Sequence, residues 1–142
     1  MTRQLVYTLD DILAVADAIH GEGRGCSIKG KRAIAHTVRN RCLDRRWPNS
    51  PRKVCRQRVQ FSALNRRTDN VGNLHAIVHA DFDDEAYRDA FWIAAKVLAS
   101  VDEDLTGGAN HYHGSYMRKF PKWSKPPAIE IGRIGYHVFY KL

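Results

Sequence analysis

The apolar positions near the start of the chain fall on one broad helical face. Ile12, Leu13, Val15, Ala16 and Ile19 recur at the spacing of an amphipathic helix. Thr8 stands in front of them as a cap, and Asp11 puts negative charge in the first turn, where the helix dipole favours it. Gly21, Gly23 and Gly25 follow at alternate positions and end the helix soon after His20. A second helix is predicted behind the cap Ser27. It has Ile34, Ala35, Val38 and Cys42 on its apolar side and Lys31, Arg32, Arg39 and Arg45 on the other. Pro48 and Pro51 close it. A third helix begins at Asp83 and buries Tyr87, Ala90, Phe91, Ala94, Val97 and Leu98, with Trp92 placed in the same core stripe. Thr106-Gly107-Gly108 is its stop signal.

The pattern then changes. Residues 109–115 are short and aromatic, Pro121, Pro126 and Pro127 forbid a helix, 128–134 alternate weakly and 136–140 are β-prone. Residues 49–81 form a long irregular stretch, of the kind that is functional or holds short elements of its own. The expected architecture is α+β and mostly helical, a single domain over residues 1–142 with a small C-terminal β-hairpin or sheet. A chain of 142 residues buries roughly two-thirds of the surface it exposes unfolded and folds without staples.

Charge adds a constraint on partners. The formal net charge is +8, which attracts a polyanion such as nucleic acid, an anionic membrane surface or an anionic cell wall. Arg39, Arg41, Arg45, Arg46, Arg52, Lys53, Arg56 and Arg58 are spread over two segments, so a solvated basic surface and a binding patch are both open. No helix-turn-helix spacing, zinc-finger pattern or aromatic sheet motif accompanies the charge, and no nucleic-acid partner is expected. No apolar run approaches the roughly 20 residues of a membrane span, and the first ten residues lack a signal-peptide core. Synthesis in the cytoplasm is therefore expected. Three cysteines, Cys26, Cys42 and Cys55, without such a signal point to reduced thiols.

The sharpest local chemistry is Gly21-Glu22-Gly23-Arg24-Gly25. A carboxylate at a helix C-terminus faces the negative end of the dipole, and partial burial raises its pKa further. A glutamic acid held protonated near neutral pH can give its proton to a leaving oxygen. Spacing alone also allows an exposed glutamate in a glycine turn.

Four ordered blocks add to that reading. Ala18-Ile19-His20-Gly21-Glu22-Gly23-Arg24-Gly25, followed by a basic and apolar helix ending Val38-Arg39-Asn40-Arg41, resembles the start of the SleB-type cell wall hydrolases, the spore-cortex-lytic family. Gln60-Phe61-Ser62 resembles that family's Gln-Phe-Ser segment. Asp104-Leu105-Thr106-Gly107-Gly108-Ala109-Asn110-His111-Tyr112-His113 is similar to its Asp-Pro-Thr-Gly-Gly-Ala segment ending in Tyr-His. Gly132 to Tyr140 is similar to its closing Ile-Gly-Asn-His-Val-Phe-Tyr.

The resemblance covers nearly the whole chain. It implies a lysozyme-like fold, cleavage of peptidoglycan between N-acetylmuramic acid and N-acetylglucosamine, and Glu22 as the catalytic acid; no cofactor is expected. By the same resemblance Gln60, Phe61, Ser62, Asn110, Tyr112 and His113 become candidate substrate contacts. Many relatives are lytic transglycosylases, which close a 1,6-anhydro ring instead of adding water. Two-carboxylate hydrolysis needs a second carboxylate roughly 5 to 9 Å from the first, whereas a transglycosylase can use one. Of the other glutamates, Glu85 opens a predicted helix and Glu103 lies in an exit turn, so no partner stands out.

Two positions depart from the family pattern. Cys26 stands where the motif has its second Glu, and Tyr136 where it has Asn. Cys26 precedes the cap of the second helix, where a thiolate is favoured and the pKa is expected to fall. Its two readings are a small packing residue beside the cleft or a reactive group near Glu22.

His75, His79, His111 and His113, with Asp81, could make a zinc site, but Ala76 occupies the general-base position of a His-Glu-x-x-His motif and no metal is expected. Trp123 could line the cleft or cap a loop.

The expected function is glycan-strand cleavage, with peptidoglycan as the partner. A small basic wall enzyme without a signal suits a bacteriophage, as an endolysin or as a virion-borne lysin with virion proteins as partners. It would act on the wall after release or delivery. The alternatives are a zinc-dependent wall amidase or peptidase, a basic nucleic-acid-binding module, and a wall-binding protein without activity.

Overall fold

The computed structural model describes residues 3–23, 25–57 and 82–142. Among these, four helices precede a three-stranded sheet: α1 (Leu9–Glu22), α2 (Ile28–Leu43), α3 (Pro51–Cys55), α4 (Glu85–Leu98), β1 (His111–Gly114), β2 (Ile129–Ile134) and β3 (His137–Lys141). The expected α+β, mostly helical architecture with a small C-terminal sheet is the observed one.

Local chemistry sets most helix ends. Thr8 and Asp11 form a reciprocal capping box at α1. Ser27 accepts from the Gly30 amide at α2, and Asp84 from the Ala86 amide at α4. Pro51, expected only to close α2, also opens the one-turn α3 from its first position, where its missing N–H costs nothing. Gly23 ends α1 because only glycine fits: a Cβ there would sit 2.6 Å from the Ile19 carbonyl oxygen. The Cys26 amide then bonds back to Gly23 O at 2.8 Å, a tight turn that brings the chain straight into α2.

Two expectations about α4 are corrected. The helix does not run to Thr106-Gly107-Gly108 but stops at Leu98, closed by a Schellman motif. The Ser100 amide bonds Val97 O, the Val101 amide bonds Lys96 O, and Ser100 takes φ 62°. Serine fills a position that glycine usually holds. Trp92 is also not in the core: it is 60% exposed. Tyr87, Ala90, Ile93, Ala94, Val97 and Leu98 form the buried stripe, and Trp92 and Lys96 lie on the opposite side.

The core lies among the helices. Its members include Val15, Ala16 and Ile19 of α1, Ile34 and Val38 of α2, Val54 of α3, and Ala94 and Val97 of α4. The most extensive helix contact is α1 against α4, and α2 and α3 also pack on this pair. The sheet is antiparallel in the order β1-β3-β2, with Tyr112 opposite Phe139 and His113 opposite Val138. Gly135 and Tyr136 join β2 to β3 in a two-residue turn. Gly135 takes φ 61° and Tyr136 does not have positive φ, the pattern of a type II′ turn, so the second turn position tolerates a bulky tyrosine.

A polar seam binds α2 to the loop before β1. Arg32 and His36 both bond Asp102, His36 at 2.7 Å. Asn40 donates to Asp104 Oδ2 and to Ala109 O, each at 2.9 Å. Arg41, buried to 1% exposure, donates to Asn110 O at 2.6 Å beneath the Trp47 ring. Asp104 also receives the Thr106 amide and hydroxyl and the Gly108 amide. Two motifs far apart in sequence, Asn40-Arg41 and Asp104 to Ala109, are thus halves of one joint.

Candidate active site

Glu22 is the last residue of α1 and is half-buried. The glycine turn that ends the helix holds it there. Tyr112 enters from β1 and is buried. Its hydroxyl is pushed well above the ordinary tyrosine value, first by burial and next by the negative charge of Glu22. Acid and phenol therefore occupy one electrostatic neighbourhood at the junction of helices and sheet.

Strand alternation decides what else shares it. Tyr112, Phe139 and His137 belong to one face of the sheet, with the Tyr112 ring 4.9 Å from His137 and 5.5 Å from Phe139. Cys26 Sγ lies 4.0 Å from His137 Nδ1, so the turn after Glu22 closes onto this face. His137 is a neighbour that sequence reasoning missed. The β-prone run 136–140 was visible, but which strand it pairs with, and therefore what His137 faces, was not.

The expected drop in the Cys26 pKa is overturned. Burial pushes the thiol up, and the Tyr136 backbone bond and the Lys31 charge oppose this only in part. Cys42 is pushed up to about 12, by burial first, and Cys55 is also raised by burial. All three cysteines are buried and free, and none is a poised nucleophile.

His113 lies on the sheet face opposite Tyr112, 6% exposed. Its Nδ1 bonds Gly114 O at 2.9 Å and its Nε2 bonds the Tyr140 hydroxyl at 2.8 Å. Asn110 is also turned inward: its Nδ2 donates to Leu142 O and its Oδ1 accepts from the Leu142 amide, which clamps Leu142, just after β3, to the residue before β1. Trp123 covers the outer sheet face, its ring 5.0 Å from His111, 5.8 Å from His113 and 5.3 Å from Tyr140. Glu22 and Tyr112 are thus brought together, while His113 and Asn110 hold the strand that carries Tyr112. Gln60, Phe61 and Ser62 lie outside the described residues, as do His75, His79 and Asp81.

Among the described residues no three His, Cys, Asp or Glu side chains gather as a metal cage, and no helix is long and apolar enough to cross a membrane. His111, whose Nδ1 is 2.8 Å from Asn110 Oδ1, has its pKa lowered to about 4 by burial and then by the charges of Arg41 and Arg46. Asp17 is pushed above the ordinary carboxylate value by burial, and its Oδ1 accepts from the Tyr87 hydroxyl at 2.9 Å, which ties α1 to α4.

Comparison with known proteins follows the same geometry. A family model described as cell wall hydrolase matches residues 25–140. The spore cortex-lytic enzyme of Halalkalibacterium halodurans is 28% identical over 134 residues, 94% of this chain and 35% of that protein. The chain therefore spans about a third of that relative's length, and the aligned part includes Glu22. The catalytic domain of the Bacillus cereus SleB protein superposes with a TM-score of 0.74 at 25% identity, covering 96% of this chain and 93% of that one. The catalytic domain of the germination-specific lytic transglycosylase SleB from Bacillus anthracis gives a TM-score of 0.72 at 25% identity, covering 98% and 100%.

Proposed function

The chain belongs to the cell wall hydrolase family, and from that premise we propose that it cleaves peptidoglycan glycan strands as a lytic transglycosylase, with Glu22 as its acid and base. The observation that carries the reading is the half-buried Glu22 at the end of α1, whose charge reaches the buried Tyr112 hydroxyl. Glu22 gives its proton to the glycosidic oxygen as the bond from C1 of N-acetylmuramic acid breaks. The leaving N-acetylglucosamine takes that proton as its new hydroxyl. The C6 hydroxyl of the same muramic acid then attacks C1, and its proton returns to Glu22. Water does not enter, the 1,6-anhydro ring closes, and one carboxyl group serves both steps.

Tyr112, packed in the field of Glu22, is the proposed substrate-side partner. Asn110 and His113 act through the strand by holding Tyr112 in place. Gln60, Phe61 and Ser62 enter the proposal as substrate contacts on family resemblance alone.

Digestion of purified sacculi, with mass spectrometry of the fragments, tests the reading. Anhydro-muropeptides are expected. Reducing muramic ends would make the enzyme a hydrolase, and free stem peptides would make it the amidase or peptidase of the alternative reading. Glu22→Gln keeps side-chain volume and is expected to abolish cleavage with an unchanged circular dichroism spectrum. Retention of more than a few per cent of wild-type turbidity loss on permeabilised cells removes Glu22 from the mechanism. Delivery by a bacteriophage, as endolysin or virion-borne lysin, is part of the same proposal. Detection of the chain in purified virions or in a holin-dependent lysate checks it; the named relatives are bacterial proteins.

A further inference from the structure

A concavity lies just beyond the Glu22 turn in the chain. Ser27, Lys29, Leu105, Arg133, Ile134 and Gly135 line an open pocket of about 300 Å³. It sits where the start of α2 meets the β2–β3 turn, and Gly135 packs on Gly30 at ordinary van der Waals range, a Cβ there lying 3.8 Å from the Gly30 Cα. Leu105 and Ile134 give it apolar surface, while Lys29 and Arg133 give it two cations. Among the described residues neither cation is in an ion pair. Arg133 Nε donates to Gly135 O at 3.1 Å, which fixes the guanidinium beside the turn. The first turn of α2 carries no acidic side chain, so the positive end of that helix adds to the field.

Size and position narrow the ligand. A pocket of this volume is at the lower end of the roughly 300–1,000 Å³ of ligand sites, too small for a glycan strand and suited to a short side group. Ser27 follows Glu22 by five residues, so the pocket edge lies within roughly 17 Å of the acid even for an extended chain. The turn from Gly23 to Cys26 shortens that distance. The muramic acid whose bond is cut carries a lactyl group and a stem peptide of alternating methyl and carboxylate character. Apolar surface under two unpaired cations matches that alternation better than it matches a bare phosphate.

We propose that this pocket is a subsite for the acidic stem peptide attached to the muramic acid at the cleavage point. The inference rests on the glycan-cleavage reading above. Lys29 and Arg133 hold the peptide carboxylate, and Leu105 and Ile134 receive the alanine and lactyl methyl groups. Its effect is to prefer glycan that still bears peptide and to seat the scissile bond over Glu22.

The test compares peptide-bearing glycan with the same glycan stripped of peptide by an amidase. In the double variant Lys29→Ala/Arg133→Ala, the ratio of kcat/KM for the two substrates is expected to fall about tenfold, as for lost charge-assisted contacts at a surface. Lys29→Arg/Arg133→Lys is expected to restore it. An unchanged ratio overturns the subsite. A second measurement needs no catalysis: a synthetic L-alanyl-γ-D-glutamyl peptide is titrated into the Glu22→Gln protein and amide shifts are followed by NMR. Shifts centred on Ser27, Lys29 and Gly135 are expected. Their absence, or equal shifts with inorganic phosphate, overturns the peptide assignment. Peptide shifts at these amides, with no glycan cut by the protein that retains Glu22, would sink the proposed function while leaving the subsite standing.

Discussion

Cys26 shows how one residue's neighbours decide its chemistry. It precedes a helix cap, a place that favours a thiolate, and it lies 4.0 Å from an imidazole nitrogen. Burial nevertheless pushes the thiol up. The pKa of His137 is lowered by its own burial and by the nearby His113. At neutral pH the pair is therefore a thiol beside a neutral ring, not a thiolate–imidazolium couple. Cys26→Ser is expected to keep most of the wall-cleaving activity, and iodoacetamide is expected to label Cys26 slowly at neutral pH. If the serine variant folded but were as inactive as Glu22→Gln, the thiol would have to enter the chemistry.

At the scale of the element, α2 is the frame on which the site is hung. Asn40 ties both Asp104 and the Ala109 carbonyl to the helix, and Arg41 ties the Asn110 carbonyl, so the register of β1 and the place of Tyr112 follow from α2. Asn40→Ala removes two hydrogen bonds, one to a carboxylate, and is expected to cost about 2–3 kcal/mol. That corresponds to a melting temperature lower by roughly 6–10 °C, which calorimetry measures.

The same joint sets an acid limit. Burial alone would raise Asp102 and Asp104. Bonds from His36 and Arg32 to the first, and from Thr106 and Asn40 to the second, hold both below the ordinary carboxylate value. Depressed carboxyl groups stabilise the fold above their unfolded pKa, near 3.9, and that contribution is lost as pH falls toward their lower folded values. Denaturant unfolding between about pH 2 and 6 is expected to show this acid loss, and Asp104→Asn to make it shallower.

Across the whole molecule the charge is +8, and the substrate proposed for it is an anionic polymer. Neighbouring exposed cations act together on a polyanion, and salt screens them over about 10 Å at 0.1 M ionic strength. Sedimentation with purified sacculi is expected to show binding that weakens steadily from low to high salt. Salt-independent binding would leave substrate affinity to sugar contacts and assign the positive charge elsewhere. On the proposed reading the basic charge serves encounter, and the Glu22–Tyr112 junction serves chemistry.

What the amino-acid sequence determined alone is whatever depends on neighbours along the chain. Thr8 with Asp11, Ser27 with Gly30 and the glycines around Glu22 locate helix ends through bonds spanning three or four residues, and such bonds are legible in order. The place of Glu22 at the end of α1 was legible for the same reason. The Schellman stop at Ser100 was not, because serine there carries none of the glycine signal that marks a left-handed residue.

Tertiary structure decided which side of each element meets which partner. Alternation puts Tyr112 and His113 on opposite faces of β1, but only pairing with β3 sets Tyr112 against His137 and Phe139 and His113 against Tyr140. The meeting of Cys26 with His137, 111 residues apart, and the pocket between α2 and the β2–β3 turn have the same origin. A strand's inner face is defined by what the rest of the chain packs against it, and no local pattern carries that information.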